Sequence, residues 1–275
     1  MTRALVTNDD GIGSAGLATL AGAAVRSGLD VVVAAPDKNL SGASASLTAL
    51  QEDRRVVLNE HELEGLSGLP AFAVAATPAF ITLLAVRGAF GRPPDLVLSG
   101  INKGHNAGQA ILHSGTVGAA MTAAAHGCRA LAVSLASVAA TTAGEAPEWG
   151  TAAQVVARVL PVLGLVGPRT VVNVNVPNVP ATELRGLRPA GLSSFGAVQV
   201  NVAESGSGYI SVEIADEKAP TEPGTDAALL AAGWATLTCL QPICQVDEPC
   251  FDHLYGARAG LRTTRREISA AADHS

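Results

Sequence analysis

Short apolar runs alternate with helical patterns along most of the chain. Strand-like runs cover residues 4–7, 30–35, 95–98 and 130–135, and helical spacing of apolar positions covers residues 15–27, 78–88 and 116–126. Strands that alternate with helices predict βαβ units and a parallel sheet. The three consecutive valines at residues 31–33 are typical of a strand that is buried on both faces.

The second half of the chain continues this pattern and then departs from it. Apolar periodicity predicts a helix over residues 151–165, a strand over 170–176, a helix over 225–233 and a strand over 236–240. Residues 193–217 instead alternate in the manner of antiparallel strands, and Gly206 and Gly208 between them predict a hairpin turn. The sequence therefore predicts one α/β domain that carries a β-hairpin.

Composition narrows the classes of protein to consider. The chain has 275 residues, of which 48% are hydrophobic and only 3% aromatic, so Ala, Gly and Val are expected to fill a large, closely packed core. The net charge of -6 argues against a nucleic-acid polymer as partner. We recognise no signal peptide and no bilayer-spanning stretch, so we expect a cytoplasmic protein without a membrane partner. The spacing of Cys239, Cys244 and Cys250 matches no zinc pattern, which disfavours a metal site or disulfide there.

Two adjacent aspartates, Asp9 and Asp10, end the first apolar run. Neighbouring carboxylates repel each other and lose solvation when a site closes around them. A cation held between them offsets both costs, and this pair is the first indication of function.

Polar residues also follow the other predicted strands. Because the carboxyl ends of parallel strands meet at one edge of a sheet, we expect these clusters to converge. Carboxylate, hydroxyl and amide oxygens suit Mg2+, Mn2+ or Ca2+ better than zinc. Residues 114–116 open a helix and offer N–H groups to a phosphate, although simple helix capping is the alternative for Ser114 and Thr116. A metal beside an anion site predicts metal-assisted hydrolysis of a phosphate ester. The clusters are residues 8–10, 36–42, 99–108 and 113–116.

These motifs resemble those of the SurE family of survival-protein nucleotidases. The resemblance lies in Asn-Asp-Asp-Gly at residues 8–11 and in the segments at 35–44, 99–102 and 114–117, with later matches at 173–177 and 224–226. It covers roughly residues 3–245, and the motifs occur in the same order as in the family.

The resemblance implies a Rossmann-like three-layer α/β fold with a mostly parallel sheet and C-terminal β-hairpin extensions that exchange between subunits of a homodimer or homotetramer. The expected parts of the single domain (1–275) are a metal-binding core at 1–136, a C-terminal part with the hairpin and oligomerisation elements at 151–250, and a disordered tail at 267–275.

The resemblance also implies hydrolysis of nucleoside 5′- or 3′-monophosphates with one divalent ion per subunit, Mg2+ or Mn2+, with Ca2+ possible in crystals. Its metal ligands fall on Asp9, Asp10, Ser41 and Asn102, and its phosphate-side groups on Asn106, Ser114, Gly115 and Thr116. Of these, Asp9, Asp10, Asn106 and Ser114 are the expected catalytic residues. His105 or His113 would protonate the leaving alkoxide, and a structural role in a loop is the alternative for each.

The chain also departs from the family pattern. Gly13 replaces a histidine, an acidic position near Ala79 in the segment 76–81 has become apolar, His113 replaces an aromatic residue and Thr122 a glutamate. Because the metal set is retained while its surroundings have changed, metal-dependent phosphatase chemistry is a firmer prediction than nucleotide specificity. A related small phosphorylated metabolite is the other substrate class to consider.

Two other functions are compatible with parts of the sequence. Residues 11–16 fit Gly-x-Gly-x-x-Gly, with Asp37 placed as a ribose-binding acid, which would indicate an NAD-dependent oxidoreductase. The two carboxylates just before the first glycine count against this interpretation, since they would repel a pyrophosphate. A non-catalytic family member that binds metal or nucleotide is the second alternative.

Overall fold

The computed structural model describes residues 1–52, 55–136, 146–167, 169–194, 199–206, 209–215 and 222–244. The helices are α1 (Ala15–Arg26), α2 (Pro78–Val86), α3 (Gly115–Ala125), α4 (Trp149–Val159) and α5 (Asp226–Ala231), with 3-10 helices at Gly108–His113 and Leu160–Leu165. The strands are β1 (Arg3–Thr7), β2 (Asp30–Pro36), β3 (Gln51–Glu52), β4 (Arg55–Val56), β5 (Leu58–Glu60), β6 (Ala71–Val74), β7 (Leu96–Lys103), β8 (Arg129–Leu135), β9 (Val171–Val176), β10 (Leu187–Pro189), β11 (Gln199–Gly206), β12 (Tyr209–Ala215) and β13 (Ala235–Leu240).

In the part of the chain that the structure describes, nine strands form one sheet in the order β10-β13-β9-β8-β7-β1-β2-β6-β5. The run from β9 to β6 is parallel throughout, whereas β13 is antiparallel to β9 and β5 is antiparallel to β6. The predicted mostly parallel α/β sheet is confirmed. Parallel strands place their carboxyl ends at one edge, which is where the polar clusters lie.

Helices cover both faces of the sheet and give three layers. One core lies between the sheet and helices α1 and α4, and the other between the sheet and helices α2 and α3. Strand β1 serves both cores, because Ala4 and Val6 face the first and Leu5 faces the second. Burying one leucine side chain of this kind contributes about 2 kcal/mol to stability. The three-layer Rossmann-like architecture predicted from the resemblance is confirmed.

Small residues let the helices approach their neighbours closely. A methyl group at Gly16 of α1 would collide with the carbonyl oxygen of Ile101. One at Gly118 of α3 would lie 2.5 Å from the carbonyl oxygen of Ser44. In a core with few aromatic residues, the helix backbones can thus pack directly against neighbouring backbone segments. Helix α3 packs in this way against the segment that follows β2.

The predicted hairpin is confirmed as the antiparallel pair β11 and β12, whose register shifts between Val202 and Glu204. Gly208 of its predicted turn, Cys250 and the predicted tail at 267–275 lie outside the described residues. The chain divides into two compact units, Met1–Pro242, which contains every element named above, and Ile243–Ser275, of which only Ile243 and Cys244 are described. Among the described residues, no helix combines the length and the apolar character needed to cross a bilayer.

Candidate metal and phosphate site

The turn between β1 and α1 is organised by Asn8. Its Nδ2 donates to the Gly11 carbonyl at 3.1 Å and to Ser14 Oγ at 2.7 Å, and its Oδ1 accepts from the Gly11 N–H at 3.2 Å. Gly11 has φ +100°, a conformation that glycine adopts readily. Ser14 Oγ caps α1 by accepting from the Leu17 N–H at 3.2 Å. These bonds fix the backbone of the two aspartates that follow Asn8 at the carboxyl edge of the sheet.

Asp9 is 4% exposed and is held by the first turn of α3. Its Oδ1 accepts from Thr116 Oγ1 at 2.5 Å, and a methyl group at Gly115 would lie 2.8 Å from its Oδ2. Burial raises the pKa of Asp9 and the charge of Asp10 raises it further, while hydrogen bonds from Thr116 oppose the rise. The carboxylate is therefore costly to keep ionised until a positive charge arrives.

Asp10 is half-buried beside it. Its Oδ2 accepts from the Lys103 N–H at 3.0 Å, and Asn39 Nδ2 approaches its Oδ1 at 3.4 Å. Burial raises the pKa of Asp10, whereas the N–H and the charge of Lys103 lower it. Within the described residues the ion pairs are Arg3–Asp30 and Arg92–Asp95, so neither Asp9 nor Asp10 has one.

The other two predicted ligands are Ser41, which lies in the segment after β2, and Asn102, which lies near the end of β7. Asn102 Nδ2 donates to the Gly104 carbonyl at 2.7 Å, which leaves Oδ1 as the atom that can bind a cation. Ser41 is exposed, and its N–H donates to Asn39 Oδ1 at 2.9 Å. Two carboxylates, one amide oxygen and one hydroxyl form the kind of donor set that a hard divalent ion prefers, so the residues present fit such an ion.

Asn106 is held by a buried clamp from the neighbouring strands. Its N–H donates to Asn175 Oδ1 at 2.7 Å, and its carbonyl accepts from Asn175 Nδ2 at 2.9 Å and from Asn173 Nδ2 at 2.8 Å. Its own Nδ2 donates to Ser134 Oγ at 2.8 Å. Asn175 thus pairs with the peptide groups of Asn106 much as a neighbouring strand would, and it fixes the loop after β7.

The next turn of this loop is fixed by Asp226, which is fully buried at the start of α5. Its Oδ2 accepts from the Gly108 N–H at 2.9 Å, and its Oδ1 accepts from the N–H groups of Ser193 and Ala227. In the sequence, Asn173, Asn175 and Asp226 stand out only within the matching motifs, and no role is predicted for them. The available signal is the period-two spacing of two asparagines in a valine-rich strand, which places both on one face.

The remaining predicted site residues are those at the start of α3 and the two histidines. Ser114 caps α3 by accepting from the Val117 N–H at 3.0 Å, so the capping alternative is present in the structure. Thr116 bonds Asp9, a contact that the sequence did not predict. His105 and His113 are both exposed, just before Asn106 and Ser114. Their acid role and the phosphate role of residues 114–116 stay predictions.

The clamp leads to a first testable prediction. Asn175→Ala leaves the Asn106 N–H without its partner, which should lower the free energy of unfolding by about 2 kcal/mol. The released loop should also reduce phosphate release about tenfold. Urea unfolding and initial rates measure the two effects.

Asn178→Ala is the matched control, because Asn178 Oδ1 also accepts a backbone N–H, that of Glu148 at 2.8 Å, without touching Asn106. It should lower stability and leave the rate unchanged. An equal loss of rate in both variants would contradict the claim that the hydrogen bonds between Asn175 and Asn106 support activity.

Proteins similar to this chain are known both by sequence and by structure. The model of the protein family described as "Survival protein SurE" matches residues 4–197. The chain is 40% identical over 200 residues to a protein of Desulfitobacterium hafniense named 5'-nucleotidase SurE, covering 73% of each. It is 37% identical over 245 residues to a Proteus mirabilis protein named 5'/3'-nucleotidase SurE, covering 87% of this chain and 90% of the relative. The crystal structure of the SurE protein from Aquifex aeolicus superposes with a TM-score of 0.73 at 29% identity, covering 92% of this chain and 99% of the other.

Proposed function

The chain belongs to the SurE family, and from this we propose that it is a divalent-metal-dependent phosphomonoesterase acting on nucleoside 5′- or 3′-monophosphates. The observation that carries the proposal is the buried Asp9 next to Asp10, with no ion pair to either among the described residues and with the first turn of α3 against it. A cation that joins two such carboxylates offsets both their mutual repulsion and their loss of solvation.

The metal ligands in this proposal are the carboxylates of Asp9 and Asp10, Ser41 Oγ and Asn102 Oδ1. A divalent ion held there would stabilise negative charge on the phosphoryl oxygens and would lower the pKa of water, so that deprotonated water is available as the nucleophile. Mg2+ or Mn2+ is the proposed ion, because the donors are all oxygen and include two carboxylates. Thr116 orients Asp9 through the hydrogen bond to Oδ1.

The phosphate-side groups in the proposal are Asn106, Ser114, Gly115 and Thr116. The first turn of α3 directs N–H groups and the positive end of its dipole toward the carboxyl edge of the sheet, where a phosphate would sit. The clamp fixes the backbone of Asn106, and Ser134 Oγ accepts a hydrogen bond from its side-chain Nδ2, so this residue is held in place before substrate arrives. The imidazole N–H of His105 or His113 would donate a proton to the leaving oxygen.

The two alternative functions are not favoured. Residues 11–16 do connect β1 to α1, yet the two carboxylates directly before Gly11 would repel a dinucleotide pyrophosphate. The complete set of metal-ligand residues also gives no reason to prefer a non-catalytic, purely binding function over catalysis.

The proposal extends to partners and setting. The substrate is a small phosphate monoester, and the net charge of -6 supports this over a nucleic-acid polymer. The free thiols of Cys128, Cys239 and Cys244 support a cytoplasmic setting. A homodimer or homotetramer, with the hairpin exchanged between subunits, is the assembly that we propose from the family resemblance.

Phosphate release tests the function directly. The full chain is incubated with nucleoside 5′- and 3′-monophosphates, sugar phosphates and p-nitrophenyl phosphate in the presence of Mg2+, Mn2+ or a chelator. We expect release from the nucleotides with metal and none with chelator. Release that persists in chelator would contradict the metal assignment, and no release with any metal would contradict the enzymatic function.

A further inference from the structure

A pocket of about 640 Å3 lies at the amino-terminal edge of the sheet, opposite the proposed metal site. Its lining comes from the amino ends of β7 and β8, from the residues just before β9 and from the carboxyl ends of α2 and α3. A cavity of this volume is large enough for a small organic ligand. The strands between the two sites have six to eight residues, which separates the pocket from the metal site by roughly 20 Å. A ligand in the pocket would therefore not overlap with a substrate at the metal site.

Two arginines in the lining bring positive charge that no carboxylate offsets. Arg129 is the first residue of β8, and Arg169 lies two residues before the start of β9. Because β8 and β9 are parallel neighbours, the two guanidinium groups belong to the amino ends of adjacent strands. Both ion pairs in the described ranges of the chain involve other arginines. Arg169 also has φ +58°, a conformation that residues other than glycine adopt at a cost and that recurs at ligand sites.

The other groups around the pocket do not cancel this charge. Asp95 is the acidic residue in the lining, and its Oδ2 already accepts from Arg92 Nη2 at 3.1 Å and from the Arg3 N–H at 2.8 Å. Burial raises the pKa of Cys128 and the charge of Asp95 raises it further, so the thiol stays neutral and donates to the Pro94 carbonyl at 3.3 Å. The carboxyl ends of α2 and α3 each add about half a negative charge, which still leaves a net positive charge beside the two guanidinium groups.

The remaining lining offers apolar surface to the body of a ligand. Val86, Pro93 and Val166 contribute aliphatic side chains that are not fully buried. His126 also lines the pocket, with Nδ1 donating to the Thr122 carbonyl at 2.9 Å, and it adds no negative charge. The pocket thus combines an anion-binding part with an apolar part.

Three elements connect this pocket to the proposed phosphate site. Helix α3 ends at the pocket, and its first turn holds Asp9. Strand β8 starts with Arg129 and carries Ser134, whose Oγ accepts from Asn106 Nδ2. Strand β9 starts just after Arg169 and carries the asparagine clamp on the backbone of Asn106. A displacement at one end of these packed elements can therefore reach the groups at the other end.

We infer that this pocket binds a small organic anion, a carboxylate or a phosphate with an apolar body, and that its occupancy changes the rate at the phosphate site. The guanidinium fork pairs with either anion through two parallel hydrogen bonds, and the apolar walls cover the rest of the ligand. Binding is independent of the catalytic function, whereas the effect on the rate rests on the proposed function.

The test measures binding and activity separately on the full chain. Calorimetric titrations use phthalate, a dicarboxylate, and phenylphosphonate, which cannot be hydrolysed to phosphate, and they show which anionic group the pocket takes. Arg129→Gln and Arg169→Gln each remove one guanidinium group. Arg158→Gln is the matched control, because Arg158 lies on α4 and does not line the pocket. All three arginines are exposed, so the variants should fold, which circular dichroism verifies.

We expect at least one probe to bind, and we expect Arg129→Gln and Arg169→Gln each to weaken its binding about tenfold while Arg158→Gln leaves it unchanged. The bound probe should change kcat for p-nitrophenyl phosphate by about twofold or more at constant KM, and the two pocket variants should lose this response.

No binding of either probe, or equal affinity in all four proteins, would overturn the binding site. A rise in KM alone, which marks competition at the metal site, or unchanged kinetics with the probe bound would overturn the effect on the rate. If no substrate releases phosphate, the proposed function fails, whereas the titrations still decide whether the pocket binds an anion.

Discussion

Replacing Asp9 with asparagine is expected to lower phosphate release about 10³-fold, since several kcal/mol of transition-state stabilisation would depend on the ion that we propose this carboxylate holds. The fold should survive, because the amide can keep the hydrogen bond from Thr116 Oγ1 and burying it costs less than burying a charge. Mn2+ is also expected to raise the melting temperature of the unmodified protein and not that of the variant, because an ion stabilises only a protein that binds it. Initial rates and thermal melts with and without Mn2+ measure both effects.

Asp30→Asn is the control for this experiment. Asp30 pairs with Arg3 at 2.9 Å at the amino end of β2, away from the carboxyl edge of the sheet. Its replacement removes one partly exposed ion pair, worth up to about 1 kcal/mol, and should leave both activity and the Mn2+ response intact. A fully active Asp9→Asn protein that still melts higher with Mn2+ would remove Asp9 from the metal set.

Gly115→Ala is expected to cost about 10²-fold in rate, because small displacements of catalytic groups have effects of this size. The added methyl would lie 2.8 Å from both Cβ and Oδ2 of Asp9, so the carboxylate or the first turn of α3 has to move. A compensating gain in helix propensity is available, so the loss of activity should exceed the loss of stability. The rate and the urea midpoint are measured on the same preparation.

Gly150→Ala is the matched substitution, since Gly150 also lies in the first turn of a helix and a methyl there meets nothing within 4 Å. It should raise stability by up to about 1 kcal/mol and leave the rate unchanged. If Gly115→Ala retains full activity, the close contact between α3 and Asp9 does not matter for the reaction.

The fold could be predicted where local signals are strong. Strands β1, β2, β7 and β8 are buried on both faces, so their sequences contain continuous apolar runs, which lie between helical patterns. The short strands β3, β4, β5, β6 and β10 were not predicted, because segments of two to four residues carry little periodicity and their strand character depends on a neighbouring strand. The helix predicted over 151–165 ends as α-helix at Val159 and continues as a 3-10 helix that contains Pro161.

The chemistry of the site was visible only where it is contiguous in the chain. The Asp pair could be named from sequence because both carboxylates are neighbours after a strand. The bond from Thr116 to Asp9 joins residues 107 apart, and the one from Gly108 to Asp226 joins residues 118 apart. Such partners are fixed by the order of strands in the sheet, which no local pattern encodes. The roles of the named site residues remain for the experiments above.

The clamp also dictates when the site can mature during biosynthesis. Asp9 and Asp10 leave the ribosome long before Asn175 and Asp226, which fix the loop that carries Asn106 and Gly108. In a nascent chain, Asp9 and Asp10 are therefore present long before the loop that carries Asn106 and Gly108 can be held in place. Phosphatase activity should switch on only after β9 and α5 have docked, which keeps unfinished chains chemically silent.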